Sequence, residues 1–178
     1  RDRMKFFNKA SETEKIVKSL KSNNDIYLVP AFTGLGAPYW NANSRGVLSG
    51  ITRDTSPKEI VRATIEAVAY QTHDLFEAMK HDGLRPKIVK VDGGMVMNNW
   101  FSQFLSDVVN VKVLRPKVQE TTALGAAFMA GLHIGVYKSL KDISKNWKVD
   151  KIFNPKIKSQ NRKKLIEGWN LAIKKTLS

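Results

Sequence analysis

The strongest hydrophobic periodicity in the chain follows Ser56. Val61, Ile65, Val68, Thr72, Leu75 and Met79 recur at alternating steps of four and three. That spacing predicts one buried stripe on a helix of about five turns. Ser56-Pro57-Lys58-Glu59 marks its start as a capping box with Pro at the first helical position. The Ser hydroxyl takes an orphan N–H and the Glu side chain reaches back to the cap. Gly83 is the expected stop. Further helices are predicted over 98–109, with Phe101, Phe104, Leu105 and Val108 facing inward, and over 121–132. Residues 3–20 read as loosely amphipathic through Met4, Phe7, Ile16, Val17 and Leu20. The tail, 138–178, reads as helical around Trp147, Phe153, Leu165, Ile166, Trp169 and Ile173.

Short apolar runs between these segments predict strands. Ile26-Tyr-Leu-Val29 is stopped by Pro30, 47–51 follows an aromatic-bearing loop over 31–46, 87–92 closes on Gly93-Gly94, and 111–114 ends before Pro116. Ala123, Gly125, Ala126, Ala127, Ala130 and Gly131 make the 121–132 helix rich in small residues, as tight packing of a helix on a sheet requires. Strands alternating with long helices indicate the α/β class. No internal repeat and no low-complexity segment interrupts the pattern.

Composition removes several classes of function. The 178 residues include no Cys, which excludes a disulfide framework, a thiolate metal site and a cysteine nucleophile. His73, His81 and His133 are too scattered for metal-ligand spacing. No apolar run approaches the roughly 18 to 20 residues of a membrane span. The formal net charge is +14, from 30 basic and 16 acidic residues. It is concentrated at the ends: residues 138–178 hold twelve basic and three acidic groups, whereas 25–137 hold eleven and ten. Of the 30 basic residues 22 are Lys, dispersed at helical spacings without an aromatic reading element. This is the pattern of a Lys-rich solvated surface, and no nucleic-acid partner is expected. A basic nucleic-acid-binding module is the alternative from another class. The first residue, Arg1, is not Met, and residues 1–7 resemble the interior of a helix, so a piece of a longer protein is expected.

Candidate chemistry centres on Val91-Asp92-Gly93-Gly94-Met95-Val96-Met97-Asn98-Asn99. A strand runs out through two glycines into a helix. Glycine lacks a Cβ, so the backbone can turn sharply there and a flat ligand can lie against it. In open α/β sheets ligands lie beyond the carboxyl ends of the strands. A Gly-Gly turn without a ligand is the plainer alternative, and neither a P-loop nor a dinucleotide fingerprint is present. Asp92 reads as a cap of the turn or as a candidate carboxylate. Asn98 caps the helix or hydrogen-bonds a ligand edge. Arg45 and Arg53 are expected in ion pairs, and His73 as an ordinary half-buried or exposed residue. No Ser/His/Asp or paired-carboxylate constellation appears.

Several blocks together resemble a known family. Phe32-Thr-Gly-Leu-Gly-Ala-Pro-Tyr-Trp40 resembles a loop of the glycerol kinases, and Gly46-Val-Leu-Ser-Gly50-Ile51 with Glu59-Ile-Val-Arg-Ala63-Thr-Ile-Glu66 resembles the C-terminal pattern of the FGGY carbohydrate kinases. Ala69-Tyr-Gln-Thr72, Val91-Asp-Gly-Gly94, Glu120-Thr-Thr-Ala-Leu-Gly-Ala-Ala127 and Gly168-Trp169 keep the same order. The resemblance covers nearly the whole chain.

It implies a ribonuclease-H-like domain of the actin-like ATPase superfamily, a mixed sheet with flanking helices. It implies that residues 1–178 are most of the second domain, with the first domain and the start of the second lying upstream. The implied activity of the parent is phosphoryl transfer from ATP, with Mg²⁺, to glycerol. Another FGGY sugar kinase is the near alternative. Gly94 and Asn98 match the positions that hold the adenosine of ATP, and Gly93 shapes the turn. Met95 and Met97 stand where the family usually has Ala, so an altered adenine pocket is expected. The catalytic base, the phosphate loop and most of the glycerol site belong to upstream segments. No catalytic or metal-ligating residue is therefore assigned here, and the piece alone is expected to be inactive. A cytoplasmic, homo-oligomeric parent is also implied.

Overall fold

The computed structural model describes residues 2–178. Arg1, read above as part of a helix interior, lies outside the described residues. The described residues form six helices, α1 (Glu12–Lys18), α2 (Pro57–His81), α3 (Asn99–Val109), α4 (Thr121–His133), α5 (Leu140–Ser144) and α6 (Ser159–Leu177). They form five strands, β1 (Tyr27–Val29), β2 (Val47–Ser49), β3 (Ile88–Lys90), β4 (Lys112–Pro116) and β5 (Val149–Phe153). β1 and β2 pair antiparallel, with Leu28 opposite Leu48. β4 is the middle of a mixed sheet: β3 runs parallel to it and β5 antiparallel.

Helix α2 is the centre of the packing, lying against α1, α3 and β1, while α6 covers β1 and β2. Its capping box forms as the sequence predicts. Lys58 N–H donates to Ser56 Oγ at 3.2 Å, and Ser56 N–H donates to Glu59 Oε2 at 3.0 Å. The stripe does not behave as its periodicity suggests. Val61 and Ile65 are buried, but Val68, Leu75 and Met79 are each 38–39% exposed. The inward face is carried instead by Arg62, Glu66, Tyr70 and Asp74, with small Ala63, Ala67 and Ala69 between them. These polar groups satisfy one another. Arg62 Nε donates to Glu66 Oε1 at 2.7 Å and Arg62 Nη1 to the Leu20 carbonyl at 2.7 Å. The Tyr70 hydroxyl donates to Glu66 Oε2 at 3.0 Å. Burial pushes the Glu66 carboxyl up, against the pull of Arg62 and Tyr70.

Tyr70 is also the hub of an aromatic cluster. Its ring stacks on Trp169 at 5.2 Å and meets Phe104 edge-on at 5.6 Å, with Tyr27 at 5.7 Å. Gly168 lets α6 come this close. A Cβ there would stand 2.3 Å from Tyr27 Oη and 2.4 Å from its Cζ. Tyr27 is itself buried, so its ring has nowhere to retreat. Gly168→Ala is expected to destabilise the fold by roughly 2–3 kcal/mol, the cost of overpacking, although alanine is the better helix former. Denaturant unfolding of the variant checks this, and an unchanged midpoint would mean that α6 is not seated on Tyr27.

Four other expectations are corrected. The helix over 3–20 shrinks to α1, because Lys5 adopts a left-handed φ of 54° and the Glu12 carboxylate collects the Asn8 and Lys9 N–H groups at the real helix start. The tail is not continuously helical but contains β5, in which only Phe153 is buried. The second strand ends at Ser49, since Gly50 turns away at φ +87°. Among the described residues the small face of α4 is not covered by a sheet: Ala123, Ala126, Ala127 and Ala130 are exposed, and within the helix only Gly131 is buried, against the Tyr137 ring.

Candidate functional site

The strand–turn–helix segment singled out in the sequence is present. The ladder between β3 and β4 is extended by Val91 N–H to the Leu114 carbonyl at 3.1 Å. Gly93 then takes φ +87°, a conformation that L side chains rarely adopt. Gly94–Met97 form a single 3₁₀ turn, closed by Asn98 N–H on the Met95 carbonyl at 3.1 Å. Gly93 and Gly94 are both exposed. The two glycines are glycines for different reasons. Position 93 needs its backbone angle. Position 94 lies outside the positive-φ region, and a Cβ there would meet nothing within 4 Å. Neither backbone strain nor packing within the chain calls for glycine at 94.

Asn98 caps α3: its Oδ1 accepts the Phe101 N–H at 3.0 Å. That bond fixes the amide orientation, because only the oxygen can accept. Its Nδ2 donates to Thr13 Oγ1 at 3.4 Å. The neighbouring Asn99 N–H donates to Glu14 Oε2 at 3.2 Å. The hydrogen bond from Lys18 holds the Glu14 carboxyl below its ordinary value. The helix α1 is thereby tied to the start of α3. Val96 is buried, Met95 packs against the core and Met97 is 45% exposed. The two Met positions therefore differ: Met95 is partly buried against the core, and Met97 is exposed on the surface of the turn.

The far end of the turn is held by residues the sequence did not single out. Arg115 Nη1 donates to the Val96 carbonyl at 2.9 Å and to the Met97 carbonyl at 3.3 Å. Its Nε and Nη2 donate to Asp150 Oδ2 at 2.8 and 2.7 Å. Ser102 Oγ donates to Val96 O at 2.9 Å. Nothing in the local sequence marks Arg115, because its partners lie 18 to 35 residues away.

Other expectations fare less well. Asp92 is exposed, and its side chain neither caps the turn nor pairs with a cation among the described residues. Among the described residues Arg45 pairs with no carboxylate but donates to the Ala42 and Ser44 carbonyls at 3.0 and 2.8 Å. Arg53 is exposed and forms no ion pair among the described residues. His73 is half-buried, as expected, with Nδ1 3.6 Å from Asp74 and Nε2 3.5 Å from Glu77. Two clefts lie away from the turn. One is lined by Arg62, Trp100 and Phe104, the other by Phe7, Leu28, Phe32 and Ile60. Neither includes Gly94 or Asn98.

Residues 2–134 match the model of the C-terminal domain of the FGGY family of carbohydrate kinases. The chain is 49% identical to glycerol kinase 1 of Pseudomonas aeruginosa over 178 residues, covering 100% of this chain and 36% of that protein. It is 48% identical to a glycerol kinase of Alteromonas mediterranea over 173 residues, or 97% of this chain and 35% of that one. Among solved structures it is similar to Plasmodium falciparum glycerol kinase with ADP, at TM-score 0.86 and 35% identity, covering 98% of this chain and 35% of the other. A ligand-bound xylulose kinase from Lactobacillus acidophilus shares the fold at TM-score 0.77 and 22% identity, over 97% of this chain and 35% of that one. The architecture is thus the ribonuclease-H-like α/β fold of these kinases. The chain spans about a third of the length of the curated relatives it matches.

Proposed function

Since the chain belongs to the FGGY family of carbohydrate kinases, we propose that it is most of the second domain of an ATP-dependent glycerol kinase. The parent would convert ATP and glycerol to ADP and glycerol 3-phosphate. The observation that carries this reading is identity of 48–49% to two glycerol kinases along 97–100% of the chain. Xylulose and gluconate kinases share the fold at only 22% identity.

Within that reading, the Gly93–Asn98 turn is the chain's contribution to the nucleotide site. Gly94 offers a flat stretch of backbone on which an adenosine can rest, because nothing in the chain lies over its missing Cβ. Asn98 spends its oxygen on the helix cap and one amide hydrogen on Thr13 Oγ1, which leaves its second N–H to reach a ligand edge. Gly93 sets the direction of the turn. The residues present therefore fit an adenosine. We assign no metal ligand to this chain; among the described residues no three His, Asp or Glu side chains gather. Mg²⁺, which neutralises charge on the transferred phosphoryl group, belongs with the phosphate-binding segments of the parent. No side chain here takes the proton from glycerol. Positioning of the nucleotide is the chain's task, and closure of two domains would bring it to the acceptor.

Glycerol-dependent ADP formation tests the reading. The full-length enzyme that carries this chain is expected to turn over with ATP and glycerol, and the 178-residue chain alone to show no turnover. Preference of the full-length enzyme for a pentulose or gluconate over glycerol would move it to another branch of the family. Turnover by the isolated chain near that of the intact enzyme would refute the division of labour.

A further inference from the structure

We infer that Arg115, anchored by Asp150, is a positioning residue for the nucleotide-facing turn, an inference that rests on the reading above. A 3₁₀ turn of four residues has little strength of its own, and its last carbonyls have no partner inside the turn. Here two of those carbonyls, Val96 and Met97, converge on one guanidinium. Arg115 is 6% exposed and sits on β4, the middle strand of its sheet. Its opposite edge is gripped by a single carboxylate oxygen of Asp150 on β5. The guanidinium lies 5.6 Å from the centre of the Phe153 ring, which limits its swing. The side chain is therefore a rigid bar between the outer strand and the end of the turn.

The geometry matters because the turn is pinned at both ends by different devices. Its beginning follows from Gly93 and the β3–β4 ladder. Its end depends on Arg115 and on the Ser102 hydroxyl. Between these points lie the Gly94 backbone and the approach to Asn98. Arginine is suited to this because its donors form a fixed planar fork, whereas a lysine ammonium is one point of charge. A lysine at 115 can satisfy Asp150 or the carbonyls, but it cannot span both. Asp150 is 41% exposed at its side chain, so its role can be removed without opening the core.

Steady-state kinetics of Arg115→Lys and Asp150→Asn in the full-length enzyme test the inference. Loss of a charge-assisted clamp predicts KM for ATP raised roughly tenfold in Arg115→Lys. A smaller rise of the same sign is expected in Asp150→Asn. KM for glycerol should stay within about twofold. Inhibition by tripolyphosphate, which lacks adenosine, should keep its wild-type constant, a readout that general loosening of the fold would move. If Arg115→Lys does not fold, Asp150→Asn decides. Unchanged KM for ATP in the folded variants overturns the inference, and so does an equal loss toward ATP, glycerol and tripolyphosphate. A wild-type enzyme that phosphorylates a polyol other than glycerol would overturn the choice of acceptor only, and the ATP readout would be taken with that acceptor. A wild-type enzyme with no ATP-dependent phosphorylation overturns both readings.

Discussion

Asp74→Ala is expected to destabilise the fold by about 3–5 kcal/mol, because it strands two remote donors on one side chain. Asp74 is 7% exposed on the inner face of α2. Its Oδ2 accepts the Trp169 Nε1–H at 2.8 Å and the Tyr39 hydroxyl at 2.9 Å. One oxygen thus joins α2 to α6 and to the loop before β2. Burial, then the Asp74 charge, holds the Tyr39 phenol above its ordinary range, which favours the protonated, donating form. Removing the carboxylate leaves a fully buried indole N–H without a partner and loosens the Tyr39 loop. Asn at 74 provides the discriminating control. Both bonds go to the same oxygen, so an amide oxygen can accept both, and Asp74→Asn should cost about 1–2 kcal/mol, the difference between charged and neutral acceptors. Urea unfolding of the two variants checks the pair. Equal losses would mean that the charge, and not the acceptor geometry, holds the three segments together.

The same residue shows why part of the fold was legible in the sequence and part was not. The cap of α2 could be read because Ser56 and Glu59 are three residues apart and their chemistry is complete within that span. The strands β1, β3 and β4 were visible as apolar runs between turn residues. The inner face of α2 was misassigned because apolar periodicity ranks Val68, Leu75 and Met79 above Arg62, Glu66 and Asp74. Glu66 is satisfied within the helix by Arg62 and Tyr70, but Arg62 and Asp74 also take partners from Leu20, Tyr39 and Trp169, which lie 35 to 95 residues away. Strand β5 was hidden for another reason. Four of its five residues are not buried, so it carries almost no core pattern, and only its pairing with β4 makes it a strand.

The candidate site divides in the same way. The turn of Gly93, Gly94 and Asn98 is legible because a strand, two glycines and a helix start are adjacent in sequence, and the family resemblance implies a ligand for them. Arg115 and Asp150 are not legible in the sequence, because each is an isolated charge until the pairing of β4 with β5 brings them together at the turn. Of the two Met residues of the turn, Met95 is partly buried against the core and Met97 stands on the turn surface.

Gly94→Val separates a structural glycine from a ligand-facing one. Position 94 needs no positive φ, and its Cβ would project into open space. The variant is therefore expected to fold with stability within about 0.5 kcal/mol of the parent chain, as a surface substitution does. Its branched side chain would stand where an adenosine must lie. The corresponding cost of overpacking is about 1–3 kcal/mol, or roughly 5- to 150-fold in affinity. The direct measurement is ATP and glycerol KM for Gly94→Val in the full-length enzyme, beside its thermal midpoint. A raised KM for ATP, with the glycerol KM and the midpoint unmoved, is the predicted result; wild-type KM for ATP in a normally folded variant would contradict the assignment of this turn to the nucleotide.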